Sequence, residues 1–173
     1  MRHDERRQKA QERSVGHLQG LYGVVAALAL SIAAEHVIPA SGRDVRHLPV
    51  VLAFALLFTL VPFYHGALRH LDEQYVVPVS PPTLAWAVLV DFSFLFLESG
   101  LLLALAVAVP RPRLFLLVLF ILLVVDIVWT QLTGVLAASP AAGTQSGLDA
   151  QRSWSGVNLR TCIALVVLGA LSH

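Results

Sequence analysis

The sequence predicts an all-α integral membrane protein, a polytopic bundle of five transmembrane helices with the N-terminus inside and the C-terminus outside. Hydrophobic residues make up 57% of the 173 residues and charged residues only 13%, with a mean hydropathy of +0.73. A soluble domain contains about 25% charged residues. The apolar residues are also grouped into five long runs separated by short polar segments, which is typical of helices that cross a bilayer.

Residues 1–17 form a polar segment, which we expect to be a cytoplasmic tail ahead of a single transmembrane domain over residues 18–172. The segment contains five basic and three acidic residues and is either a short surface helix or a loose tail. The first predicted span, residues 18–38, is long enough for a hydrocarbon core of about 30 Å. A secretory signal is the alternative, but the run is long, and Glu35 and His36 precede the possible cleavage site.

Small residues recur at steps of three or four along the first apolar helix: Gly16, Gly20, Gly23, Ala27 and Ser31. Small side chains let a second helix approach closely in a membrane. We therefore expect this face to contact another copy of the chain, in a homo-oligomer, or another membrane protein. Apart from these contacts, the lipid bilayer itself is the predicted partner.

The second predicted span covers residues 48–66 and contains two prolines. Pro49 lies in the first turn, where proline is tolerated, whereas Pro62 is expected to kink the helix or to free a backbone carbonyl. Apolar and charged residues alternate from Phe63 to Tyr75, which predicts an amphipathic turn at the membrane interface.

The third and fourth predicted spans cover residues 84–109 and 114–137, with a break between two prolines, Pro110 and Pro112. A loop over residues 138–155 leads to the fifth span, residues 156–172, where Trp154 is a suitable interface anchor. The fifth apolar run is short, about 16 residues against the roughly 20 that a crossing needs. A chain of four spans with a re-entrant last segment is therefore the alternative.

Positive charge predicts the orientation. With the N-terminus inside, the inner segments contain seven Lys and Arg residues and the outer loops contain four, as the positive-inside rule favours. We expect a multi-pass protein of the cell membrane (plasma or inner). Its one cysteine, Cys162, excludes an internal disulfide.

Three carboxylates lie inside the third and fourth spans: Asp91, Glu98 and Asp126. A charge at such a position costs roughly 2.5–3.5 kcal/mol on insertion scales, so these residues usually face another helix or a wet cavity. Helical rise puts Asp91 about 10 Å and Asp126 about 12 Å from the inner face, nearly level, with Glu98 about 10 Å deeper than Asp91.

The remaining candidate residues extend this polar centre toward the inner surface. Thr130 and Thr133 share a helix face with Asp126, and with Asp91, Glu98 and Asp126 they form the predicted ion pathway. The predicted inner mouth consists of His65, Asn158 and Arg160.

Several of these residues also have an ordinary structural interpretation. Arg160 can extend its charge to the lipid headgroups or pair with Asp91, and His65 can cap the kinked helix. Glu98 can be protonated and bonded to a neighbouring backbone group.

Motifs that would define a chemistry are absent from the sequence. There is no HExxH, phosphate-binding glycine loop or GxSxG, and no Cys/His spacing of a zinc site. We therefore expect no catalytic residues, no metal site and no cofactor. The net charge of +1 and the lack of aromatic residues interleaved with basic ones argue against nucleic acid as a partner.

Three functions fit these observations. The first is conduction or transport of protons or cations through the acidic centre. The second is a non-enzymatic membrane subunit, anchor or sensor that docks a cytoplasmic or membrane partner. The third, a membrane-embedded enzyme for a lipid-like substrate with His65 and Asp91 as acid and base, needs a nucleophile or metal that the sequence does not provide.

Overall fold

The protein is all-helical over the residues that its structure describes. A computed structural model describes residues 2–38, 47–72, 85–136 and 156–164, and these ranges contain no strand. Four long helices follow one another in them: α1 (Arg2–Val37), α2 (His47–Leu71), α3 (Ala85–Val107) and α4 (Pro112–Leu136). Residues 156–164 are also helical and are called segment 156–164 below. The all-α prediction is confirmed for these ranges.

Helix α1 is longer than a membrane crossing requires. Its 36 residues extend about 54 Å at 1.5 Å per residue, against about 30 Å for the hydrocarbon core. The part that is long and apolar enough to span is Arg13–Val37. The polar residues from Arg2 onward therefore continue the spanning helix without a break.

Helix α2 continues through Pro62. Because proline has no N–H, the Phe58 carbonyl receives no intrahelical hydrogen bond from position 62. The neighbouring Thr59 hydroxyl donates to the Ala55 carbonyl at 2.8 Å, which satisfies that hydroxyl within its own helix. The helix ends at Leu71, so the start of the predicted amphipathic turn belongs to it.

The chain divides into two compact units. The first comprises Met1–Pro81 and Leu102–Pro110, and the second comprises Pro82–Leu101 and Arg111–His173. In the first unit α1 and α2 pack against each other. Buried residues recur at steps of three, four or seven on α1 and of three or four on α2, the spacing of one helix face: Val15, Tyr22, Ala26, Ala29 and Ala33 on α1, and Leu52, Leu56, Leu60, Phe63, Ala67 and Leu71 on α2.

The contact between α1 and α2 contains a tyrosine pair next to a glycine. The rings of Tyr22 and Tyr64 stack with their centroids 5.8 Å apart. A Cβ atom on Gly23 would lie 3.4 Å from the Tyr64 hydroxyl oxygen, so the absence of a side chain there leaves room for the tyrosine. Nearer one end, the Gln19 side-chain amide donates to Asp72 Oδ1 at 2.8 Å.

The small-residue face of α1 is largely separate from this contact. Gly23 is half-buried beside Tyr64, whereas Gly16, Gly20, Ala27 and Ser31 are exposed. At 100° per residue these exposed positions lie about 140° around α1 from its buried stripe. Within the first unit, α2 therefore covers a different face from the one that the sequence predicted for helix contact.

In the second unit, α4 begins at Pro112, a position where the missing N–H is not needed. The Phe115 N–H donates to the Arg111 carbonyl at 2.9 Å. Along α4 the buried positions again recur at steps of three or four, and Asp126 and Trp129 continue the stripe that Phe115 and Leu122 begin. The helical period therefore directs the Asp126 carboxyl to the packed side of α4.

Large apolar side chains cover the outside of these helices. On α2, Val51, Phe54, Phe58 and Val61 form a stripe opposite the packed face, and Phe58 is 76% exposed. Exposed apolar area of this extent is unfavourable in water but suits lipid. Four described helices contain segments long and apolar enough to cross a membrane: Arg13–Val37, His47–Leu71, Leu89–Val107 and Pro112–Leu132. The chain is built as a multi-pass helical membrane protein.

Candidate functional site

Four buried polar side chains lie within the described part of the second unit. They are Asp91 and Glu98 on α3, Asp126 on α4, and Asn158 on segment 156–164. Together with Trp129, which contacts Asp91, they are called the acidic cluster below. Since desolvating an unsatisfied polar group is costly, the partners of each side chain determine what the cluster can do.

The Asp126 carboxyl group accepts a hydrogen bond from a side-chain amide. The Asn158 side-chain Nδ2 donates to Asp126 Oδ2, and both residues are buried. An amide donor orients one carboxyl oxygen without adding a positive charge. Segment 156–164 is therefore joined to α4 by a buried hydrogen bond.

The Asp91 carboxyl group accepts a hydrogen bond from an indole N–H. Trp129 Nε1 donates to Asp91 Oδ1 at 3.1 Å, and the indole stacks on Phe94 with a centroid distance of 6.4 Å and an interplanar angle of 12°. Both contacts join α4 to α3. The apolar ring of Trp129 thus fills space between the helices while its N–H satisfies one oxygen of the carboxyl group.

These contacts set the relative heights of the three acids. Trp129 on α4 is level with Asp91 and Phe94 on α3. Asp126 is three residues nearer the α3–α4 connection, about 4.5 Å along the helix. It therefore lies between the levels of Asp91 and Glu98, slightly deeper than the near-equal level with Asp91 that the sequence predicts.

Glu98 is the most deeply buried of the four. Its side chain is 1% exposed, and its Oε1 atom has no hydrogen-bond partner among the described residues. The carboxyl lies within electrostatic range of Asp126. Glu98 is thus a titratable side chain with an oxygen that no described residue satisfies, within electrostatic range of another acid.

The described arginines of this unit are at its surface. Its described arginines, Arg111, Arg113 and Arg160, are all exposed. In the described part of the unit, no buried basic side chain lies among the acids. Arg160, whose pairing with Asp91 was one structural alternative, is exposed, and this does not favour a buried pair.

The described residues do not form a metal site of protein ligands. Among them, no group of three or more His, Cys, Asp or Glu side chains could hold a metal ion. The three acids are instead spread along the helices, with Asp91 and Glu98 two turns apart on α3. The carboxyl groups of the cluster follow one another along the helices and do not surround one point as metal ligands do.

No known protein family, curated protein or solved structure matches this chain. Its function has to be argued from the acidic cluster itself.

The other predicted site residues lie outside the buried cluster. His65 belongs to α2 of the first unit and is exposed, and Arg160 is exposed. Thr130 is half-buried one turn from Asp126. Thr133 belongs to α4, but its side chain lies outside the described residues. The structure thus brings Asp126 and Asn158 together and places the Asp91 and Glu98 carboxyls beside α4.

The predicted site did not include Trp129. A signal for it was present: Trp129 follows Asp126 by three residues and so lies on the same face of α4. An indole N–H in an apolar helix needs an acceptor, and the only carboxylates predicted nearby were those of α3. Combining these two points would have paired Trp129 with Asp91.

Proposed function

We propose that the protein carries protons or other small cations across its membrane through the acidic cluster. The observation that carries the proposal is Glu98, a carboxyl group that is 1% exposed. One of its oxygens has no partner in the part of the chain that the structure describes, and it lies within electrostatic range of Asp126. Ionisable residues inside membrane helices usually mark ion or proton routes. A structural acid is expected to have both oxygens satisfied, whereas a group that exchanges an ion needs a free oxygen.

In this proposal the residues of the predicted ion pathway and inner mouth have the roles that the sequence predicts for them. Asp91, Asp126 and Glu98 follow one another in depth, with Thr130 and Thr133 continuing along α4 toward the end where we place the inner surface. Asn158, His65 and Arg160 would act at the inner mouth. Because Asn158 is buried and bonded to Asp126, it would control access to that carboxyl.

The arrangement in the membrane is part of the same proposal. We propose five spans with the N-terminus inside, which the distribution of positive charge favours, and a homo-oligomer, which the small residues on α1 favour. Location in the cell membrane is proposed with them. The exposed residues Gly16, Gly20, Ala27 and Ser31 form the face that we expect to meet a second copy. Light scattering of the detergent-solubilised protein measures its oligomeric state.

A substitution of Asp126 tests the proposal in reconstituted vesicles. In Asp126→Asn the side chain keeps an oxygen that accepts from Asn158 but loses its charge. We expect the parent protein to give ion flux under an applied potential and the flux of the variant to be at least about tenfold lower. A tenfold decrease corresponds to a loss of roughly 1.4 kcal/mol of stabilisation along the route.

A matched control is Asp72→Asn. Asp72 is an exposed acid bonded to Gln19 in the first unit, and we expect full flux in this variant. Circular dichroism and size-exclusion chromatography establish that both variants fold. Normal flux in a folded Asp126→Asn variant would contradict the proposal.

The second candidate function is a membrane subunit or anchor for a cytoplasmic partner. The length of α1 favours it, because a charged helix of about a dozen residues precedes the spanning part that begins at Arg13. In that case the buried acids only join helices. Absence of any ion flux in the parent protein would favour this function.

A further inference from the structure

We propose that the ion accepted by the acidic cluster is a proton rather than a metal cation, and that Glu98 is the group that binds and releases it. Asp126 is the positioning residue, held by Asn158. This inference rests on the proposed function, since it names the ion that the same site would carry.

The geometry of the carboxyl groups disfavours a metal cation. A dehydrated metal ion needs several oxygen ligands around one point, six to eight for Ca²⁺ and six in octahedral geometry for Mg²⁺. Among the described residues no three acids, histidines or cysteines converge in this way. Backbone carbonyls inside α3 and α4 are largely occupied by helical hydrogen bonds, so the helix interiors supply few further ligands.

A proton needs only one free oxygen, and Glu98 has one. Among the described residues Oε1 of Glu98 has no hydrogen-bond partner, whereas one oxygen of Asp126 accepts from Asn158 and one oxygen of Asp91 accepts from Trp129. Binding a proton forms an O–H bond on the Glu98 carboxylate and makes the side chain neutral. Release returns the carboxylate, so no oxidant, reductant or other reactant is required.

The charged surroundings of Glu98 favour exchange of one proton at a time. The buried titratable groups among the described residues of the second unit are Asp91, Glu98, Asp126 and Cys162, and the described arginines of the unit are exposed. Ionising Glu98 beside an ionised Asp126 would bring two like charges together in a medium of low dielectric. A proton on either acid removes that repulsion.

The bond from Asn158 assigns different roles to the two acids. It fixes the direction of the Asp126 carboxyl, because Asn158 Nδ2 donates to one of its two oxygens. Glu98 has no such bond at Oε1. Asp126 is therefore suited to remain in place while the proton on Glu98 is exchanged.

Ion selectivity in vesicles tests the inference. The purified full-length protein is reconstituted, and proton flux driven by a potassium diffusion potential is followed with an internal pH-sensitive dye. Sodium flux is measured in parallel at constant pH. We expect proton flux without sodium flux, a loss of at least tenfold in Glu98→Gln, and a partial loss in Asn158→Ala.

The matched control is Glu35→Gln, the same chemical change at an exposed acid on α1, which should keep full flux. Sodium flux that is lost in Glu98→Gln would overturn this inference but leave the proposed function in place. Proton flux that persists in folded Glu98→Gln would overturn the role of Glu98. No flux of either ion would overturn the proposed function and the inference with it.

Infrared spectroscopy gives a second measurement that does not depend on flux. A protonated carboxylic acid has a carbonyl stretch distinct from that of a carboxylate. We expect such a band in the parent protein, decreasing as the pH rises, unchanged by sodium and missing in Glu98→Gln. Identical acid bands in the parent and in Glu98→Gln at every pH would overturn the inference.

Discussion

Asp91 and Trp129 form a hydrogen-bonded pair inside the second unit, in which the indole N–H is the donor and the carboxyl group is the acceptor. The indole nitrogen donates to Asp91 Oδ1 at 3.1 Å, and the ring stacks on Phe94. Leaving a buried acceptor unsatisfied costs about 1–3 kcal/mol, and more when it is charged. The pair therefore contributes to stability as well as to the position of the Asp91 carboxyl.

We predict that Trp129→Phe lowers the free energy of unfolding by about 1–3 kcal/mol. Phenylalanine preserves most of the ring stacking on Phe94 but removes the N–H donor to Asp91. Unfolding in detergent micelles, followed by circular dichroism, measures the change.

The control for this prediction is Phe94→Leu, which keeps the indole donor and removes the stacking. It should cost about 0.5–1.5 kcal/mol in stacking energy beyond the loss of apolar area. If Trp129→Phe were as stable as the parent, the hydrogen bond to Asp91 would not contribute to folding.

The individual site residues differed in how far the sequence could predict them. Asp91, Glu98 and Asp126 could be identified because an acid within an apolar run is conspicuous whatever the fold. Asn158 could be placed near Asp126 from depth alone. The unsatisfied oxygen of Glu98 could not be predicted, because it depends on the rotation of α3 about its axis and on which neighbouring groups point at it.

The pair of α1 and α2 shows how one glycine sets the distance between two helices. A Cβ on Gly23 would meet the Tyr64 hydroxyl at 3.4 Å and its ring carbon Cε2 at 3.9 Å. A methyl group at this position is an ordinary van der Waals contact, but a larger side chain has to displace Tyr64. The stack of Tyr64 on Tyr22 would be displaced with it.

We predict that Gly23→Ala is tolerated, whereas Gly23→Leu lowers the free energy of unfolding by about 1–3 kcal/mol, the usual cost of overpacking. The alanine variant also gains helix propensity, up to about 1 kcal/mol. Thermal unfolding in detergent measures both changes.

A matched control is Gly66→Leu on α2, because a Cβ there meets nothing within 4 Å. This variant should unfold at the temperature of the parent protein or slightly above it. Equal stability of Gly23→Leu and Gly66→Leu would contradict the close approach of α1 and α2 at Gly23.

At the scale of the whole chain, the exposed hydrophobic surface of the helices indicates that the protein lies in lipid. Apolar side chains such as Phe58, 76% exposed, and Leu89, 67% exposed, lie on the outside of the helices, while acids such as Glu98 are buried. This is the reverse of a soluble protein, in which charged residues are exposed and large apolar patches are covered. Lipid is the medium in which this distribution is favourable.

We predict that the two ends of the chain lie on opposite sides of the membrane, with the N-terminus inside. Five spans give this result, whereas four spans with a re-entrant last segment put both ends on the same side. Reporter domains fused separately to each end, one active only inside and one only outside, distinguish the two arrangements. The matched control is a fusion inserted after residue 38, a position that both arrangements place outside.

The sequence by itself determined that this protein is helical, that at least four of its helices can cross a membrane, and which acids lie inside them. Hydropathy and helical length are local properties of consecutive residues, so they can be read along one chain. Only the tertiary structure decided that Trp129 donates to Asp91, that Asn158 donates to Asp126 and that no described residue bonds to Oε1 of Glu98. Those outcomes depend on how each helix is rotated toward its neighbours, and residues distant along the chain set that rotation through packing.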